Sequence, residues 1–295
     1  MSTTLPAVDP ATTEPRPRPL AALRSELDRI DDAMHALLME RAAVVEEVGA
    51  MKNSIALRPG REAAILRRLL ARHSGKLPRQ TLVRMWRELF AGTTAMQGHF
   101  SITACDSDRS GAYTQLAREH FGVLTPLRVH RSPAQAIAEI SRGSAAAAVL
   151  PVPVEQDGAE APGWWTALLH RDEPRIYIVA RLPFWSARPE GAAQAQAMVV
   201  SAVAPDPSGA DRSLIGLEIP ADVSRARLTA ALISAGLASA HTILRREQGG
   251  LYARALIDVD GFVSETDPRL PAIAAILRPP VVLGSYAIPI PASEA

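Results

Sequence analysis

Cysteine is almost missing from this sequence: among 295 residues Cys105 is the single one. One thiol closes no internal disulfide and builds no cysteine-based metal site, so a reducing compartment is expected. Lysine is nearly as scarce, with Lys52 and Lys76 the only two among 32 basic residues. Those 32 meet 31 acidic residues, for a net charge of +1. That balance excludes nucleic-acid binding through a broad basic surface, while leaving room for a local cationic pocket. No apolar run reaches the roughly 18 residues of a membrane span, and the opening MSTTLPAVDPATTEPRPRP has no apolar centre of the signal-peptide kind. The expectation is a cytoplasmic protein with neither membrane nor nucleic-acid partner. The seven histidines (His35, His73, His99, His120, His130, His170 and His241) are scattered. With no pair at ligand spacing, no metal is expected.

What is present suits a multidomain globular chain, with 47% apolar and 21% charged residues. Residues 1–19, rich in Pro and Thr, read as a flexible tail. From Leu20 to about Gln97 the pattern is helical, punctuated by Pro59, Gly75 and Pro78. From about His99 short apolar runs (AAAAVLPVPV, RIYIVARL, AMVVSAVA) alternate with Ala-rich stretches, an α/β texture. After PDPSGADR, the segments SLIGLEI, ARLTAALISAG, LYARALIDVDG, LPAIAAIL and VVLGSYAI read as strand, helix, strand, helix, strand. The boundaries expected are 20–98, 99–210 and 211–290.

The helical region carries charges where a core belongs. At 100° per residue, Leu23, Leu27, Ile30, Met34, Leu37, Leu38, Val45 and Val48 fall on one face of the first helix. Arg41 and Lys52 lie in the middle of that stripe, eleven residues and so about 20° apart, and Arg24 sits off it. A charge on a buried stripe costs several kcal/mol unless paired, and no acidic residue shares the stripe's centre. Lys52, near the helix end, also fits the dipole and can snorkel, so that alternative stays beside the pocket reading. On the second helix Glu62 leads the line of Leu66, Leu69 and His73, with Arg61 beside it. On the third, Thr93 and Gln97 continue the line of Leu82, Trp86 and Leu89. Together these describe a pocket for an anion with several polar groups. The first helix, about 50 Å long if it runs from 20 to 53, needs a partner along its length, and a homodimer is the expected supplier.

These residues also carry a family resemblance. LAALRSELDRIDDAMHALLMERAAVVEEVGAMK, RPGRE and WRELFAGTTAMQ resemble the all-helical chorismate mutases, including the mutase domain of bifunctional chorismate mutase–prephenate dehydratase proteins, over about residues 20–98. The resemblance implies an isomerase without cofactor that rearranges chorismate to prephenate in aromatic amino-acid biosynthesis. It implies that Arg41 and Arg61 bind the substrate's carboxylates and that Arg24 reaches in from the other subunit. Lys52 and Gln97 would contact the ether oxygen and Glu62 the ring hydroxyl, with Thr93 at a family Ser/Thr position. The loop between Lys52 and Arg61 is a few residues shorter than in the family, and Arg58 stands where some members have an acidic residue. The reaction is unimolecular and pericyclic, so catalysis consists of holding the reactive conformer and stabilising charge on the breaking ether.

Further along, SGAYTQLAREHFG and the apolar run ending at Pro151 resemble the first lobe of a prephenate dehydratase, with VPVEQDG and VARLPF replacing that family's turn and Thr-Arg-Phe element. Asp106, Asp108 and Thr114 are its weak candidates for an acid site, and the region reads as degenerate. Residues 211–290 resemble an ACT domain, with SRARL and ILRREQ replacing the ligand-binding elements of that family. The implied fold is an intertwined all-α mutase domain, then a truncated periplasmic-binding-like α/β lobe, then an α+β ACT-like domain. Two alternatives accompany the mutase reading: a working bifunctional mutase–dehydratase, and a non-catalytic amino-acid-sensing dimer.

Overall fold

The computed structural model describes residues 18–51, 57–107, 110–155, 163–188, 190–246 and 249–291. The chain falls into two compact units, residues 1–51 and 52–295. The first holds one helix, α1 (Leu20–Ala50). Its Leu, Ala, Met, Glu and Arg are strong helix formers, and no Pro or Gly interrupts them before Gly49. It stops three residues short of the end expected near residue 53. None of its residues is buried: Leu27 is 59% exposed and Leu37 64%.

The second unit begins with α2 (Pro59–Arg72) and α3 (Arg79–Met96). Pro59 sits at the first helical turn, where its missing N–H costs nothing. Asp206 caps this helix: its Oδ1 accepts from Gly60 N at 3.2 Å and its Oδ2 from Arg58 at 3.1 Å. The approach is so close that a Cβ on Gly60 would lie 2.1 Å from the Asp206 carbonyl oxygen, so RPGRE needs its glycine for docking. The apolar side chains Ala63, Leu66, Leu70, Val83 and Phe90 of α2 and α3 are buried and pack with Phe184, Trp185, Ala287 and Ile290. This corrects part of the face expected from the sequence: Leu66 and Thr93 of the expected lines are buried, while Leu69, His73, Leu82, Trp86 and Leu89 are only half-buried. Each helix has two adjacent apolar lines, and the line one position round is the one that meets the sheet region. Arg67 secures the joint, donating to Ser208 Oγ at 2.9 Å, Ala210 O at 3.0 Å and Ile288 O at 2.7 Å.

The rest of the unit is one nine-stranded sheet. Its strands are β1 (Ile102–Cys105), β2 (Leu127–His130), β3 (Ala147–Pro151), β4 (Tyr177–Leu182), β5 (Ala197–Ser201), β6 (Asp211–Pro220), β7 (Ser239–Arg246), β8 (Tyr252–Asp260) and β9 (Val281–Ala287), in the order β2-β1-β3-β5-β4-β9-β6-β8-β7. The first three are parallel and are joined by α4 (Ala112–Phe121) and α5 (Pro133–Ser141). The sheet runs unbroken across residue 210, because β4 and β9 pair in parallel at Ile178 and Gly284. Gly284 has φ +141°, and a Cβ there would lie 2.0 Å from Ile178 O. Only glycine permits this joint. On the far side, α6 (Arg225–Ser234) lays Leu228 and Leu232 against Ile215, Leu217 and Ile257.

Two sequence expectations are corrected here. LPAIAAIL is not a helix but a three-residue 3-10 turn, Leu270–Ala272. Pro271 lies inside it and Ala275 adopts φ +62°, so no helical ladder extends. The strand β7, absent from the sequence reading, spans SAHTILRR, whose first half looks polar because it lies at the sheet's outer edge.

Candidate active site

Arg24 and Arg41 both stand on α1, seventeen residues apart, which is about 25 Å along a helix. Arg24 is exposed and Arg41 half-buried. One rigid helix therefore does not bring both guanidinium groups to a single small anion. Lys52 lies outside the described residues.

On α2, Arg61 is exposed. Its neighbour Glu62 turns inward, with 15% of its side chain exposed, and is joined by a residue that sequence reasoning missed. Arg87 on α3 donates from Nη1 to Glu62 Oε2 at 2.8 Å, with only 5% of its own side chain exposed. The Arg87 guanidinium lies 5.2 Å from the Phe184 ring centroid, and Arg67 reaches the same ring at 5.7 Å. Burial pushes the Glu62 carboxyl up from its ordinary value; Arg87 opposes that push and the Asp206 carboxylate adds to it. Burial likewise lowers Arg87, against the pull of Glu62. Oε2 is thus tied, while no hydrogen bond holds Oε1 among the described residues. The signal available in the sequence was position: Arg87 falls between Val83 and Phe90 at helical spacing, a cation on an apolar line.

On α3, Thr93 is buried and its Oγ1 donates to Leu89 O at 2.8 Å and Phe90 O at 3.2 Å. Gln97 caps the helix end, exposed, and its Nε2 donates to Thr93 O at 3.3 Å. The structure thus brings Glu62 to Arg87 and Thr93 to Gln97.

In the α/β region Asp106 is buried, and its Oδ2 accepts from Thr114 Oγ1 at 2.7 Å and Thr114 N at 3.2 Å. The pair closes the first turn of α4, a capping role. Asp108 lies outside the described residues. SRARL opens α6, with Ser224 accepting from Arg227 N at 3.2 Å, and ILRR of the ILRREQ segment belongs to β7. Among the described residues no cluster of three or more His, Cys, Asp or Glu side chains could hold a metal ion, and no helix is long and apolar enough to cross a membrane.

Comparison with known proteins now bears on these helices. Residues 23–98 match the family model of chorismate mutase type II. The bifunctional chorismate mutase/prephenate dehydratase of Pseudomonas aeruginosa is 29% identical over 153 residues, 48% of this chain. The chain spans 40% of the length of that relative. Among solved structures, GqqA, described as a novel type of quorum-quenching acylase, aligns at 19% identity and TM-score 0.48, over 64% of this chain and 96% of its own. Prephenate dehydratase from Streptococcus mutans aligns at 16% identity and TM-score 0.45, over 63% of this chain and 97% of its own. Residues 23–98 of this chain thus match the chorismate mutase type II family, and an α/β region follows them.

Proposed function

We propose that the protein is a chorismate mutase, converting chorismate to prephenate without cofactor. The observation that carries this reading is the family match over residues 23–98, which contains the Arg, Glu, Thr and Gln residues set on helical faces. Arg41 and Arg61 hold the substrate's two carboxylates with bidentate forks. Arg24 of the partner subunit joins them, because the spacing along α1 keeps it from serving its own chain's pocket. Lys52 and Gln97 donate to the ether oxygen as its bond to the ring breaks, and Glu62 accepts from the ring hydroxyl through Oε1. Thr93 supports Gln97. No nucleophile is required: the site selects the folded conformer and supplies fixed donors where negative charge develops. The exposed apolar stripe of α1 supports a homodimer, since such a stripe is stable only when covered.

The remaining regions act as scaffold in this reading. The alternation of parallel β1–β3 with α4 and α5 supports a truncated dehydratase-like lobe. The strand order β9-β6-β8-β7 with α6 supports an ACT-like module whose second helix has shrunk to a turn. Dehydration of prephenate needs an acid at the leaving hydroxyl, and Asp106 spends an oxygen on capping α4 instead.

Proton NMR of chorismate incubated with the purified protein tests the reading. Prephenate accumulating alone is the expected result. Phenylpyruvate appearing above the slow spontaneous background would assign the α/β region a dehydratase activity, and unchanged chorismate would overturn the enzyme reading. A second expectation concerns pH. Gln97 donates whatever the pH, so turnover stays level between pH 6 and 8. The Gln97→Glu variant loses turnover as pH rises, because a carboxyl donates only when protonated. Initial rates across that range decide the matter; a steep wild-type profile with the protein still folded removes Gln97 from the ether oxygen.

A further inference from the structure

We propose that the second compact unit holds a separate binding site for a small monocarboxylate with a flat apolar body. A cavity of about 350 Å³ lies between α3, α4 and the segment that follows β4, the size of a pocket for a small organic molecule. Its apolar wall comes from Val83, Leu116 and Leu182, with the Phe184 and Trp185 rings beside them. Three guanidinium groups, of Arg84, Arg87 and Arg188, and the carboxylates of Glu119 and Glu190 also line it.

The charge balance sets the class of ligand. Arg188 is matched by a two-pronged pair with Glu119, at 2.6 and 2.9 Å. Arg87 is matched in charge by Glu62, yet a guanidinium has five N–H donors and Glu62 is the one acceptor it meets among the described residues. A buried arginine with donors to spare, facing a cavity, awaits a further oxygen acceptor. Arg84, exposed at the rim, has no ion pair among the described residues, and Glu190 is the one lining carboxylate likewise unmatched. Arg84 and Glu190 balance each other, so the lining is neutral overall; the spare guanidinium donors then suit a single carboxylate, and Glu190 disfavours a dianion such as a phosphate monoester. Two buried atoms of the wall, His120 Nε2 and Trp185 Nε1, also lack hydrogen-bond partners among the described residues. Burial, helped by Arg87, keeps His120 neutral, so it adds no charge to this count.

Calorimetric titration of the full chain with 3-phenylpropionate tests the site, with 3-phenylpropanol as the uncharged control. Saturable binding at about 0.1–1 mM is expected, with the alcohol at least about tenfold weaker. Arg84→Ala, on the exposed rim, weakens binding about five- to tenfold. Ala187→Phe fills the cavity and abolishes binding while the melting temperature stays near the wild-type value; Ala192→Phe repeats the test from the other lip should the first variant unfold. Arg41→Ala leaves binding intact, which separates this site from the proposed mutase pocket. No saturation up to about 10 mM, or binding lost in Arg41→Ala and kept in both filled variants, overturns the proposal. The readout is binding rather than turnover, so it stands apart from the fate of the mutase reading.

Discussion

Arg41→Ala lowers kcat/KM for chorismate by about a thousandfold, equivalent to about 4 kcal/mol of transition-state stabilisation, while the protein stays folded. A guanidinium in the middle of an apolar stripe is costly there unless a partner repays desolvation, and the stripe's centre offers no carboxylate. In the mutase reading Arg41 clamps one of the substrate's carboxylates, a contact made only when substrate is bound. Steady-state kinetics with parallel urea melts separate this role from a structural ion pair. A substrate clamp shows as lost kcat/KM with an unfolding midpoint near that of the wild type. A structural pair shows the reverse, a falling midpoint with kcat/KM of the folded fraction unchanged, and that result would remove Arg41 from the pocket. Arg24→Ala belongs to the same experiment. If Arg24 serves the partner subunit's pocket, inactive Arg24→Ala and inactive Arg41→Ala chains mixed into heterodimers recover activity, because one of the two pockets is then free of both changes.

How far the sequence revealed this molecule depended on whether a residue's environment was local. Most strands of the sheet were legible as apolar runs between turn signals: RIYIVARL became β4, AMVVSAVA became β5 and VVLGSYAI became β9. α1 was legible because no Pro or Gly interrupts its apolar stripe before Gly49. The missed features depend on distant segments. The faces of α2 and α3 were caught only in part, Leu66 and Thr93 being buried and Leu69, Trp86 and Leu89 half-buried, because periodicity does not say which of two adjacent apolar lines meets Phe184, Trp185, Ala287 and Ile290. LPAIAAIL looked helical by composition, but Pro271 and the left-handed Ala275 forbid it. Within the candidate site Glu62 stood out as a carboxylate among cations, yet its partner Arg87 lies 25 residues on. The sequence reading treated the helical region as ending at residue 98. That Phe184 of the α/β region supports Arg87 is a tertiary fact, with no trace in the local pattern.

Arg87→Met is the substitution expected to reach the candidate site without touching substrate. It leaves the Glu62 carboxyl in its buried position with its cation gone. Breaking such a pair costs about 3–5 kcal/mol of stability, so a clear fall in the urea midpoint is expected. The more telling effect is on ionisation. Two charged groups act on Glu62: Arg87 from α3, which lowers its pKa, and Asp206 from the loop after β5, which raises it, both against a burial effect that raises it. Removing Arg87 leaves only upward pushes, so Glu62 takes up a proton at a higher pH than before. A protonated Glu62 no longer accepts from the ring hydroxyl as a carboxylate does. As pH is lowered, the variant's kcat/KM therefore begins to fall at a higher pH than the wild type's. Arg87→Lys restores a positive charge without the fork and recovers part of the rate. Stability follows the same sign. A carboxyl whose folded pKa lies above its unfolded value favours the folded state at low pH and loses that contribution as pH rises through the folded pKa. The variant's deficit relative to wild type thus grows as pH rises above the ordinary carboxylate range. The double variant Arg87→Met/Glu62→Gln removes both charges, and its stability returns toward wild type while its rate stays at that of Glu62→Gln alone. A uniform loss of rate at every pH, tracking only the fall in midpoint, would mean that Arg87 braces α2 against α3 and does nothing to Glu62's charge.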